Sequence, residues 1–417
     1  MNRLQTVLIL SSVWLEPQSS AAGVRMMSLI NLFISQDWQV TYGSAAADSD
    51  HCADLEALGV NKVKVELNNS NFDSYLRDID PSIVVFDRFM VEEQFGWRVA
   101  EQCPGALRIL DTEDLHSLRR ARQKAFKECR EFRKRDLLNS DVARREIASI
   151  LRSDLSLIIS EYELELVKDL FTIDESLLYY LPFLENNIDE KLIQSWPPYE
   201  SRMHFITIGN FLHEPNSDSV IFLKETIWPL IRRSLQKAEL HIYGAYPMNK
   251  IMQLHNPKEG FLIKGRAADV KEVMSDARVC LAPLRFGAGL KGKLLDSMLC
   301  GTPSVTTSIG AEAMNGDLDW SGIIADDPIS IADAAVELYK NDKSWKTAQV
   351  NGVRIVNQRY DRLAFAPQLL NRIVQLQNNL VSHRESNFTG AMLMHHTMAS
   401  TKFMSRWIEA KNTTSTK

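Results

Sequence analysis

Cysteine is scarce in this 417-residue chain. There are five, at 52, 103, 129, 280 and 300, odd in number, scattered and never in C-x-x-C spacing. That excludes a disulfide framework and a cysteine zinc site, and it fits a reducing cytoplasm. Cys103 and Cys280 lie in or beside apolar runs and read as small buried hydrophobes. Long hydrophobic runs are missing too, and none approaches the length that spans a bilayer. A lipid-linked partner would therefore be met from the membrane surface, at the inner face. Charge of one sign is also lacking. The formal net charge is -5, which gives no global pull toward nucleic acid. No Asp-x-Asp metal motif stands in a cleft-forming loop. Asp78-Ile-Asp80 has the spacing, but it precedes Pro81 at a strand start and reads as a turn.

What is present is ordinary for a globular protein: 45% hydrophobic and 24% charged residues, enough for two domains. Near the N-terminus, Arg3 and Val7–Leu10 resemble the start of a secretory signal. Ser11 and Ser12 interrupt the run and Glu16 follows, so a first β-strand is expected. Further short apolar strands are expected at 40–42, 63–65, 83–86, 107–110 and 156–159, with a helix near 24–36. Runs that are continuously apolar rather than alternating point to a parallel sheet covered on both faces. The stretch 180–202, rich in Pro, Asn and Ser, reads as a linker. The pattern restarts with strands at 204–208, 240–243, 261–264, 279–282, 304–307 and 322–324, closed by helices at 329–340 and 343–358. The expected organisation is a first domain over 1–185, a linker over 186–202, a second domain over 203–375 and a tail over 376–417. The basic segment 119–146 reads as a solvated helix face, and the tail as weakly ordered or packed locally on the surface. The adjacent pair His395-His396 has poor spacing for a metal on a helix.

The most informative stretch is Leu284-Arg-Phe-Gly-Ala-Gly-Leu-Lys-Gly-Lys-Leu-Leu-Asp296. It reads as a glycine loop leading from a strand into a helix that Gly301 and Pro303 stop. Gly287, Gly289 and Gly292 allow a backbone to approach a ligand closely, and a helix start offers unpaired N–H groups. Lys291 and Lys293 stand at that same end, where the helix dipole disfavours cations. With Arg285 beside them, the arrangement makes sense around an anion, and a phosphate-bearing ligand is the first inference. Gly287–Gly292 also satisfies the dinucleotide pattern G-x-G-x-x-G. The carboxylate that pattern needs at the end of the next strand is missing, since Thr306 and Thr307 stand there.

Taken in order, Phe205-Ile-Thr-Ile-Gly-Asn, Leu240-His-Ile-Tyr-Gly, Gly265-Arg266, the glycine loop and Gly301–Glu312 resemble the group-one glycosyltransferases. The resemblance covers about residues 203–360. It implies the GT-B fold, an α/β architecture of two Rossmann-like, doubly wound parallel-sheet domains facing across a cleft. It further implies transfer of a hexose from a nucleotide diphosphate sugar to a hydroxyl of a glycan or lipid-linked acceptor. Retention of configuration is the family's expectation, and neither a cofactor nor a metal is expected. Lys291, Lys293, Arg285 and the N–H groups of Gly289 and Gly292 would neutralise the diphosphate leaving group. Asp296 would hold the ribose, Gly265 and Arg266 would lie near the base, and Gly209 follows the first strand of the domain. In the first domain, Arg25 and His116 are candidates for holding phosphate and for orienting or deprotonating the acceptor, and Glu312 for contacting sugar hydroxyls. Two departures stand out. The family often carries two glutamates eight positions apart, and here those positions hold Ala288 and Asp296. Where an arginine often follows the first strand, this chain has Gly209-Asn-Phe-Leu-His213. The Ala288 departure leaves open a silent nucleotide-sugar-binding protein, and a same-fold sugar-nucleotide epimerase stands beside it as an alternative.

Overall fold

A computed structural model describes residues 5–415. The first domain is built on a seven-stranded sheet in the order β3-β2-β1-β4-β5-β6-β7, with every neighbouring pair parallel. The strands are β1 (Thr6–Ser11), β2 (Gln39–Ser44), β3 (Asn61–Lys64), β4 (Ile83–Asp87), β5 (Leu107–Asp111), β6 (Leu155–Ile158) and β7 (Leu178–Tyr180). Val7 and Ile9 point into one hydrophobic cluster while Leu8 and Leu10 point into another. Both faces of β1 are thus covered, as its unbroken apolar run demands.

The second domain repeats the plan with six parallel strands in the order β10-β9-β8-β11-β12-β13. These are β8 (His204–Ile208), β9 (Leu240–Tyr243), β10 (Phe261–Gly265), β11 (Ala277–Ala282), β12 (Ser304–Thr306) and β13 (Gly322–Ile324). A helix begins after β8 at Glu214 and widens to a π turn over Leu223–Ile227 before continuing from Trp228. Pro229 sits at that restart; with no N–H and a bulky ring it cannot extend a regular ladder, which accounts for the wide turn.

The segment read as a linker divides: its first residues are held in the first domain, while Asp189–Ser201 has no buried residue. Leu178–Tyr180 adds the seventh strand, and Leu181, Phe183, Leu184 and Ile188 are all buried. The chain crosses between domains twice, and the two crossings lie side by side. Glu185 N donates to Tyr360 O at 2.8 Å, and Arg362 N donates to Glu185 O at 2.8 Å.

The C-terminal part departs furthest from the reading of the sequence. The boundary expected at 375 falls inside a helix, Arg362–Asn378, that crosses back to the first domain. Ala366, Leu369, Ile373 and Leu376 line one face of it and join the cluster containing Val7, Ile9, Val85 and Ile109. Fully burying the three larger side chains contributes roughly 5–9 kcal/mol at the usual value per residue. The tail then forms a 28-residue helix, Phe388–Ser415, packed on the helices Phe89–Gln102 and Asp141–Arg152. The basic segment 119–146 is not one solvated face either. It spans parts of three helices, and Arg122 and Glu146 within it are buried. No helix among the described residues is long and apolar enough to cross a membrane.

Candidate active site in the cleft between the sheets

The carboxyl ends of β1, β4 and β5 face those of β8, β10 and β11 across a cleft of about 1030 Å³. Parallel sheets place ligands at this edge. The glycine loop runs along the second-domain wall from β11 into the helix Gly292–Leu299. Lys291, the residue before that helix, is 7% exposed, and its Nζ donates to Gly289 O at 2.6 Å. Lys293 Nζ donates to Asn216 Oδ1 at 2.8 Å. Both ammonium groups line the cleft, and no carboxylate among the described residues is in salt-bridge contact with either. Burial lowers the pKa of each to about 8. For Lys291 the more distant Glu312 carboxylate offsets part of that effect. Two desolvated cations held only by neutral oxygens at a helix start form an electrostatic hole, which an anion would fill.

Asp296, one turn further along the helix, also lines the cleft. Burial, reinforced by the nearby Glu185 carboxylate, raises its pKa to about 7. It is a hydrogen-bonding group whose charge is readily tuned by what binds. Gly209, Arg266, Gly287 and Gly292 line the same cavity. Arg266 Nε has no hydrogen-bond partner among the described residues. Gly292 is required for a different reason from ligand approach: a Cβ there would lie 2.5 Å from Ala21 Cβ of the first domain.

Five of the expected site residues are placed elsewhere. Arg285 makes a two-pronged ion pair with Asp218 (2.6 and 2.9 Å) and lies between the rings of Phe126 and Phe222, so it is not part of the cleft wall. The N–H of Gly289 is already taken by Glu163 Oε1 of the first domain at 2.8 Å, which removes it as a phosphate donor. Gly265, at φ +76°, accepts from Gly244 N and shapes the turn that carries Arg266. Arg25 is buried in a bidentate contact with Asp111 (2.9 and 3.0 Å) and donates to Leu181 O and Pro182 O, tying β5 to the first crossing. Glu312 pairs with Arg122 of the first domain, whose Nη1 also donates to Gly287 O at 2.9 Å. For Arg285, Arg25 and Glu312, a charged side chain found a partner that is remote in sequence.

His116 does line the cleft, at the start of the helix His116–Lys127. Its Nε2 lies 3.4 Å from Asp114 Oδ1, and burial lowers its pKa to about 4 despite that carboxylate. It is therefore neutral at pH 7 and able to accept a proton or a hydrogen bond. His213, from the loop after β8, is held neutral in the same way, at about 4. Asp114 also pairs with Arg119. Burial works against its ionisation, but Arg119, His116 and His213 outweigh it and hold the carboxyl at about 2. Asp114 further abuts the glycine loop, where its Cβ lies 2.8 Å from the place a Cβ on Gly289 would occupy.

Several cleft residues were given no role from the sequence: Asn216, His213, Glu185, Asp87, Arg88, Glu113 and the pair Glu16–Tyr246, whose hydroxyl bridges the domains at 2.8 Å. Arg88, Glu113 and Tyr246 share a property that sequence does not display, positive φ values of 74°, 61° and 55° in non-glycine residues. Such backbone strain gathers at functional clefts.

Residues 202–341 match the family described as glycosyl transferases group 1. A protein of 44.6 kDa from the cps region of Klebsiella pneumoniae is 23% identical over 161 residues, 37% of this chain and 42% of that protein. The chain thus spans less than half the length of the curated relative it matches. Among solved structures, HepE of Anabaena in complex with UDP-glucose superposes with a TM-score of 0.65 at 12% identity, covering 89% of this chain and all of HepE. Sucrose-phosphate synthase of Thermosynechococcus elongatus gives 0.63 at 15% identity over 89% of this chain and 99% of that one. WaaG, a glycosyltransferase involved in lipopolysaccharide biosynthesis, gives 0.60 at 13% identity over 88% and 99%. Two all-parallel sheets meeting across a cleft give this chain the GT-B fold, and the match to the group 1 glycosyl transferases lies over its second domain.

Proposed function

We propose that the protein transfers a hexose from a nucleoside diphosphate sugar to a hydroxyl of a glycan or lipid-linked acceptor, without a metal ion and with retention of configuration. The observation that carries this reading is the pair of buried ammonium groups, Lys291 and Lys293, facing the cleft with only neutral oxygens as partners. The diphosphate is the leaving group, and negative charge grows on it as the glycosidic bond breaks. Two preorganised cations and the first amides of the helix Gly292–Leu299 stabilise that charge more than the ground state, which is the condition for faster turnover. They supply the neutralisation a metal would otherwise provide. In this reading Asp296 accepts from ribose hydroxyls and Arg266 flanks the base; both line the cleft with the lysines. Neutral His116, on the opposite wall, orients the acceptor hydroxyl or takes its proton. HepE, whose complexes contain UDP and glucose, supports a uridine nucleotide as the first donor to try. The cps and lipopolysaccharide contexts of two relatives support an acceptor in surface polysaccharide synthesis.

A silent binding protein remains the second reading, because Ala288 stands where the family often has the first acid. The test is a thermal-shift series with UDP, GDP, ADP, their sugar conjugates and NAD(P), followed by transfer assays with the responding donor. A rise with one nucleoside diphosphate that disappears in Lys293→Ala, together with acceptor-dependent release of that diphosphate, supports the transferase. A rise without release across a broad acceptor panel favours the silent protein. Turnover of the donor with no acceptor points to an epimerase, and a response to NAD(P) alone sinks the reading.

A further inference from the structure

Opposite the lysines, the ends of β4 and β5 carry a polar cluster that the phosphate chemistry does not use. Asp87 and Asp111 are register partners at the last positions of the two strands. Asp111 is consumed by Arg25. Asp87 and Glu113 are not. Asp87 is 4% exposed; its Oδ2 accepts from Ser11 Oγ at 2.5 Å and lies 3.4 Å from Arg88 Nη1, while Oδ1 has no partner. Glu113 is 8% exposed, and its buried Oε1 has no partner among the described residues. Both side chains line the cleft, as does Arg88. Buried carboxyl oxygens without a donor are costly and are ordinarily satisfied by protein, water or ligand. The strained backbones of Arg88 and Glu113 hold these groups toward the cavity at further cost. The acids do not form a group able to hold a metal ion, since no such group exists among the described residues.

We propose that Asp87, Arg88 and Glu113 form the acceptor subsite, and that it takes the hydroxyl face of an uncharged sugar residue. The proposal rests on the transferase reading and names the acceptor's chemistry. Asp87 accepts hydrogen bonds from hydroxyls, and Arg88 donates to hydroxyl oxygens. Burial, with Asp111 and Asp87 nearby, keeps the Glu113 carboxyl protonated well above the usual carboxylate range, so it both donates and accepts. With Glu113 neutral, the charges of Asp87 and Arg88 cancel. An acidic sugar would instead set its own carboxylate or phosphate against Asp87, with Arg88, which already faces Asp87, as the one cation of the three groups to receive it. A site built to hydrogen-bond hydroxyls discriminates strongly, because a wrong ligand leaves buried groups unpaired.

Saturation-transfer NMR with methyl glucoside, methyl galactoside, methyl mannoside, methyl glucuronide and glucose 6-phosphate tests this on the full chain, with and without UDP. At least one neutral glycoside is expected to bind, the two acidic sugars not to bind, and Asp87→Asn or Glu113→Leu to weaken the neutral ligand about tenfold. The UDP-induced thermal shift stays as in the wild type. Equal binding of the glucuronide, no binding of any glycoside, or binding unchanged in both variants overturns the proposal. If neither variant folds, the comparison of neutral with acidic sugars on the wild type still decides. A wild type that binds glycosides but not UDP instead refutes the transferase reading and leaves the subsite standing.

Discussion

Replacing Lys293 by Met should stabilise the fold and weaken nucleotide binding at once. Lys293 keeps its stem packed while its ammonium group has one neutral partner, Asn216 Oδ1. Its pKa falls from 10.5 to about 8. At about 1.4 kcal/mol per unit, the folded state pays about 3 kcal/mol to keep the charge at pH 7, an upper figure because the side chain retains some solvent contact. Met removes the charge and nearly preserves the volume. Asn216 loses its donor, which costs about 1 kcal/mol, so a net gain of about 1–2 kcal/mol remains. Thermal melting should then rise by a few degrees. The linkage has a definite sign: a lysine with a lowered folded pKa makes the wild type gain stability as pH rises from about 8 toward 10.5, and the Met variant should lack that gain. Removing one partner of a desolvated charge contact typically costs 2–5 kcal/mol of binding, so affinity for the nucleoside diphosphate should fall about 30-fold or more. Calorimetric melting at several pH values and titration with the nucleotide read both effects. A variant that melts lower than wild type and binds the nucleotide equally well would refute the account of this lysine as an anion receptor.

Arg122→Leu should lower stability by about 3–5 kcal/mol, because it strands Glu312 and frees the Gly287 carbonyl. The double variant with Glu312→Gln should recover part of that loss in a thermal double-mutant cycle. Burial raises the Glu163 pKa from 4.5 to about 8, so Glu163→Gln should melt like wild type near pH 4 and already higher than wild type at pH 7. A raised carboxyl costs stability as pH climbs from the unfolded pKa to the folded one, so the Gln variant should still melt higher than wild type at pH 9. Nucleotide affinity should be greatest between about pH 7 and 8. Below that range Asp296 protonates, and above it the two lysines lose their protons. Asp296→Asn should flatten the acidic limb in isothermal titrations at fixed ionic strength.

The architecture was largely readable because parallel strands covered on both faces leave unbroken apolar runs, as at Val84, Val85 and Phe86. The glycine loop could be picked out as part of the cleft because glycines and lysines at a helix start have few other uses. Leu178–Tyr180 was missed as a strand because three residues carry too little pattern and Pro182 follows closely. Arg285, Arg25 and Glu312 had the right chemistry for the cleft. Their partners Asp218, Asp111 and Arg122 lie 67, 86 and 190 positions away, and no local pattern reveals such pairings. Asp87 and Glu113 escaped notice for the opposite reason: their significance lies in bonds they do not make and in backbone angles that sequence does not announce.

The helix Arg362–Asn378 has a consequence for how the chain is made. Leu369, Ile373 and Leu376 complete a core whose other members begin at Val7. On a ribosome, the first domain therefore waits with part of its apolar surface uncovered until the whole second domain has emerged. The usual order, in which an N-terminal domain finishes folding while the rest is synthesised, is reversed here. The second domain, which needs nothing from beyond residue 360 for its own sheet, is free to close first. The first domain, though made first, is then completed last, and the cleft exists only after both domains have closed.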